Sequence, residues 1–154
     1  KIFHQYRPYM QGVINPYGAI RDAVTNDAIN PRERMIRDEG EAYWENHKKE
    51  FVKVRDCNYR NGEYREGERL LKEIDQICRK HNTSVKIIIS PDYNQISINP
   101  ADVEILKDIF GYENVFDFSG INEYTNDIHN YYERGHYRPI LGARLLQKVY
   151  ANHN

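Results

Sequence analysis

Over residues 66–81 the apolar residues Leu70, Leu71, Ile74, Ile77 and Cys78 recur at the helical period, while Lys72, Glu73, Asp75, Arg79 and Lys80 occupy the other side. A turn at His81-Asn82-Thr83-Ser84 separates this stretch from Val85-Lys86-Ile87-Ile88-Ile89-Ser90, a run that is rich in β-branched residues and nearly continuous in its apolarity. A strand with one wet face would alternate, so this one suits a parallel sheet covered on both faces. Helix followed by buried strand is half of a βαβ repeat. That pairing confines the chain to an α/β architecture.

The unit recurs. Asn99-Pro100 offers a cap and a first-turn proline, Val103, Leu106, Ile109 and Phe110 keep the period, and Gly111 ends the helix. Val115-Phe116-Asp117-Phe118 follows as a second strand. A polar loop over 119–138 then leads to a terminal helix begun by Pro139, with Leu141, Leu145 and Val149 on one side and Ile140 and Leu146 beside them. Right-handed crossovers put the loops that follow the strands along one edge, where open α/β sheets bind their ligands. The loops 90–99 and 119–138 are therefore expected to share one rim.

Residues 1–60 are less orderly. Residues 1–16 show no sustained period and read as an irregular arm. Pro16 precedes Ala19, Ile20, Ala23, Val24 and Ala28, a spacing that predicts a short amphipathic helix with Ile20 and Val24 on its core face, closed before Asn30-Pro31. Residues 32–56 are highly charged, with Met35, Ile36, Tyr43, Trp44, Phe51 and Val52 as apolar anchors. They read as partial helix and loop on a solvated face. The expected organisation is one α/β domain over 1–154, an irregular or helical arm at 1–60 followed by the alternating part at 61–154.

A chain of 154 residues is long enough for a single core. Its 22 Lys and Arg against 23 Asp and Glu give a net charge of -1 with no basic block, which argues against a nucleic-acid partner. The longest apolar runs, such as 85–89, are too short to span a bilayer, so membrane attachment is expected only through a segment outside this chain. Thirteen tyrosines and many asparagines suit an exposed, hydrogen-bonding surface. Cys57 and Cys78 can pair, although the place of Cys78 on a helical apolar stripe equally suits a free buried thiol. No organic cofactor motif is present.

The chemistry concentrates in Asn130-Tyr131-Tyr132-Glu133-Arg134-Gly135-His136-Tyr137-Arg138-Pro139. A carboxylate three residues ahead of a histidine can fix the tautomer and orientation of the imidazole, which then serves as a general base. Polar loops also hold such pairs without any catalytic use. The expected position on the rim favours the chemical reading. His129, Glu133 and His136 would gather three metal ligands on a continuous helix, but Gly135 and the Asn- and Asp-rich approach oppose that helix, and no metal is expected. Asp92-Tyr93-Asn94 either lines a cleft or only begins a turn. Tyr124, Tyr131, Tyr132 and Tyr137 either stack against a sugar ring or pack beneath the loop. His4, His47, His81 and His153 fall in no partner pattern.

Taken together, Asp117-Phe118, the Ser119-Gly120 turn, the tyrosine-rich loop, Glu133-x-x-His136-Tyr137 and a helix containing Gly142 resemble the last block of the SGNH (GDSL-like) hydrolases. The similarity is to the cell-envelope branch near alginate- and teichoic-acid-modifying proteins, over residues 66–151. The resemblance implies a flavodoxin-like parallel sheet with flanking helices, incomplete at its N-terminus, and acyl-ester hydrolysis or transfer by a Ser-His-Asp triad. It makes His136 the general base and Glu133 the orienting carboxylate in place of the usual Asp. Asn94 is a nominal oxyanion donor, and Tyr132 and Tyr137 lie on the substrate side. It also implies an acylated glycan or envelope polymer as partner and a place outside the bacterial cytoplasm.

One part of that pattern is missing. Ser84, Ser90, Ser97 and Ser119 are the only serines, and none has the glycine-flanked, strand-to-helix setting that exposes an activated hydroxyl. With Lys1 as the first residue, the expectation is the C-terminal portion of a longer enzyme whose nucleophile lies ahead of it. The alternative is a non-catalytic glycan- or protein-binding scaffold with the same fold.

Overall fold

Helix and strand alternate in the computed structural model as their periods predict, and the structure describes residues 20–21, 28–53 and 64–151. The chain divides after Lys49 into two compact units.

In the first unit, strands β1 (Ile20–Arg21) and β2 (Ala28–Ile29) run antiparallel, with Ile20 opposite Ile29 and Arg21 opposite Ala28. This corrects the helix expected after Pro16, because Ile20 and Ala28 both belong to strands. That helical period leaned on alanines, which fit either state, whereas the β-branched Ile20 and Ile29 occupy paired register positions and suit extended chain. Val24 lies outside the described residues. Helix α1 (Arg32–Glu39) follows, with the Asn30 side chain accepting from the Arg32 amide at 3.0 Å. Gly40 ends it at φ 59°, in the left-handed region that glycine tolerates. Helix α2 (Ala42–Asn46) carries the wholly buried Tyr43, whose hydroxyl accepts from Arg32 at 3.2 Å. The His47 ring stacks on Tyr43 with centroids 4.4 Å apart. The aromatic anchors read in the charged stretch thus do pack.

The second unit holds α3 (Tyr64–Lys80), β3 (Ile87–Ile89), α4 (Pro100–Phe110), β4 (Val115–Asp117) and the terminal α6 (Pro139–Tyr150). Strands β3 and β4 are parallel, in register Ile87 to Val115, Ile88 to Phe116 and Ile89 to Asp117. The protein is a mixed α/β structure in which a two-stranded parallel sheet, counted among the described residues, is flanked by helices. Its core joins Leu106, Ile109 and Phe110 of α4 to Val115 of β4, with Leu71, Val85, Ile87 and Ile89 packed against them. On α4 the cap read from the sequence is in place, the Asn99 side chain accepting from the Ala101 amide at 2.9 Å. On α6, Leu141, Leu145 and Val149 form the buried stripe, each burial stabilising by about 1.5–3 kcal/mol.

Helix α3 forms where its period predicts, yet Leu70, Ile74 and Ile77 are exposed and only Leu71 and Cys78 are half-buried on that stripe. Cys78 carries a free thiol, and Cys57 lies outside the described residues. No helix among the described residues is long and apolar enough to cross a membrane.

Residues 119–138 are more ordered than a polar loop. Helix α5 (Glu123–Asn126) has a full capping box, in which the Asn122 side chain accepts from Tyr124 and Thr125 amides while Thr125 Oγ1 accepts from the Asn122 amide. A 3-10 turn (Ile128–Asn130) leads into the antiparallel strands β5 (Tyr131–Glu133) and β6 (His136–Tyr137). Short polar side chains that close local hydrogen bonds build these pieces, so no apolar period announces them.

Candidate active site

The hairpin formed by β5 and β6 puts Glu133 directly opposite His136 across the two-residue turn Arg134-Gly135. Each carboxylate oxygen of Glu133 has a task. Oε2 accepts from the Gly135 amide at 3.0 Å, anchoring the carboxylate to the turn, and Oε1 meets Nδ1 of His136. Glu133 retains 24% of its side-chain exposure and His136 80%, so the acid is held against the hairpin and the imidazole stands out in solvent. A carboxylate only accepts, so Nδ1 carries the shared proton and Nε2 is left as the outward acceptor.

Backbone bonds hold the hairpin in place. The Arg138 amide donates to the Asn130 carbonyl at 2.8 Å and the Arg134 amide to the Glu50 carbonyl at 3.2 Å. The Arg134 guanidinium reaches the Val52 carbonyl at 3.2 Å. The Tyr93 amide donates to the Arg134 carbonyl at 3.3 Å, joining the hairpin to the loop that follows β3. Gln95 Nε2 donates to the Thr125 carbonyl at 3.1 Å, and the Ile98 amide donates to Ser119 Oγ at 3.0 Å. The loops 90–99 and 119–138 do share one rim.

The other residues singled out in the sequence fall at varied depths. Asn94 is half-buried in a turn closed by its amide on Asp92 Oδ1 at 2.7 Å. Tyr132 is 4% exposed and Tyr131 wholly buried, so these rings pack inside. Burial, reinforced by the negative charge of Asp92, pushes the Tyr131 phenol far above its ordinary value. Tyr137 is half-buried and lies over Gly142, where a Cβ would make ordinary contact with its ring at 3.5 Å. Tyr124 is half-buried, edge-on to Phe118 and beneath the Arg144 guanidinium.

Ser90, Ser119 and Gly135 line one cleft beyond the carboxyl end of β3. Ser119 accepts from Ile98, and among the described residues neither serine donates to His136. No group of three His, Cys, Asp or Glu suited to a metal occurs among the described residues.

Two features escaped the sequence reading. His129 forms a second acid-imidazole pair, its Nδ1 at 2.8 Å from Asp127 Oδ1. Burial pushes the Asp127 carboxyl up, but hydrogen bonds from the His129 ring and amide, with the charges of His129 and Arg144, hold it below its ordinary value overall. The signal was an Asp capping a turn two residues before a His. Asp102 is the other: its place in the first turn of α4 is ordinary for an acid, yet it is 4% exposed.

No protein-family model, curated protein or solved structure matches this chain. The geometry of the hairpin carries the functional reading.

Proposed function

We propose that this chain supplies the acid-base half of an SGNH-like serine esterase or acyl-modifying protein of the bacterial cell envelope. In this reading β3 and β4 belong to a flavodoxin-like sheet, and an acylated glycan or envelope polymer is the substrate. The observation that carries it is the Glu133–His136 pair, in which both carboxylate oxygens are engaged and the imidazole is turned outward. The serine is carried by polypeptide outside this chain, since none within it has the setting of an activated hydroxyl.

His136 Nε2 takes the proton of the serine hydroxyl as its oxygen attacks the acyl carbonyl, and Glu133 stabilises the resulting imidazolium. The proton then passes to the departing alkoxide as the ester bond breaks. Water or a second alcohol repeats the exchange on the acyl-serine, giving hydrolysis or transfer. A scaffold that stacks sugars on the tyrosines is less well supported, because Tyr131 and Tyr132 are buried.

The test is turnover of a short-chain chromogenic ester by the full-length gene product. His136→Ala is expected to lower it by about 10²–10⁴-fold with circular dichroism unchanged. Turnover that survives the substitution would remove His136 from the mechanism.

A further inference from the structure

We propose that the cleft beyond the carboxyl end of β3 binds a protonated alkyl amine, with Asp102 as the counter-ion. The cleft measures about 670 Å³, within the range of small-molecule sites. Its walls are aliphatic, built by Leu71, Ile87, Ile89, Ile96, Ile98 and Leu106, and Asp102 lines it among them.

Asp102 is 96% removed from solvent, from a relative exposure of 4%. An acid at the third position of a helix ordinarily reaches back to the amide of the capping residue or stays in water. Asp102 does not reach back, and little of the residue is left to water. At the start of α4 the Ala101 amide donates to the Asn99 side chain and the Asp102 amide to the Asn99 carbonyl, while the Asp102 carboxylate has no hydrogen bond or ion pair among the described residues. With no donor of the described residues upon it, the carboxylate can accept from one that enters the cleft.

The lining selects the donor. Asp102 lines the cleft together with Asp92, which the Asn94 amide already engages, and among the described residues no Lys, Arg or His lines it, so Asp102 complements a cation. Among the described residues its walls contain no aromatic ring on which a sugar face would stack, and they suit an alkyl chain. An ammonium has three donors, enough for Asp102 and for a hydroxyl of Ser90 or Ser119 on the same cleft. This assignment stands on Asp102 and the cleft alone and does not depend on the role of His136.

The experiment is calorimetric titration of the full chain with hexylammonium, hexanol and hexanoate, which share an alkyl body and differ in head-group charge. Hexylammonium is expected to bind at least about tenfold more tightly than either of the others. Asp102→Asn is expected to abolish that preference, and Asp92→Asn to retain it. Equal affinity for the amine and the alcohol, binding by none of the three, or a preference that survives Asp102→Asn would overturn the proposal. Where Asp102→Asn does not fold, the three-ligand comparison on the unaltered chain decides the matter.

Discussion

At position 136 Glu133 takes up Nδ1 of the imidazole, the arrangement in which the other ring nitrogen could serve as the base of the proposed reaction. The expected consequence is that the neutral tautomer of the ring carries its proton on Nδ1, which long-range ¹H–¹⁵N spectra read directly. Glu133→Gln is expected to mix the two tautomers, and a dominant Nε2-protonated form in the unaltered chain would refute the assignment. The pair was legible because three residues separate the acid from the base, and the hairpin turns that spacing into direct opposition. The Asp127–His129 pair gives a second test. Because the folded Asp127 carboxyl lies below its ordinary value of 3.8, its stabilisation is complete above that value and is lost as the pH falls through the lowered one. Asp127→Asn should therefore flatten the acid limb of a thermal-denaturation profile and reduce Tm near neutrality, and an unchanged acid limb would speak against this linkage.

At the scale of elements, the sequence was clear wherever Leu, Ile and Val set a period. Helices α3, α4 and α6 and strands β3 and β4 lie where their apolar residues place them. It was opaque over 119–138, where order comes from Asn122, Thr125 and Asp127 closing bonds with their own neighbours. Asn122→Ala removes the acceptor for two amides and the donor to the Phe118 carbonyl, and is expected to cost about 1–2 kcal/mol by chemical denaturation. A change near zero would mean that the cap does not organise this region. The helix expected after Pro16 failed for the opposite reason: alanine spacing cannot distinguish helix from strand, and the Ile20–Ile29 pairing decided it.

For the whole molecule, the α/β class followed from one repeated helix-strand unit, but the degree of burial did not. The apolar stripe of α3 promised a packed face, and the structure leaves Leu70, Ile74 and Ile77 exposed while α6 is buried on Leu141, Leu145 and Val149. The two faces should thus respond differently to substitution. Leu145→Ala is expected to destabilise by about 2–5 kcal/mol. Ile74→Ala should stay within about 0.5 kcal/mol, as for a surface site; comparable losses in guanidinium unfolding would show that the α3 stripe is covered.

The central claim, that His136 serves a serine nucleophile, is tested most directly by labelling the full-length gene product with a fluorophosphonate, which reacts with activated serines. The account expects labelling of the unaltered protein that disappears in His136→Ala. Labelling that persists in the variant, or none in either protein, would contradict it.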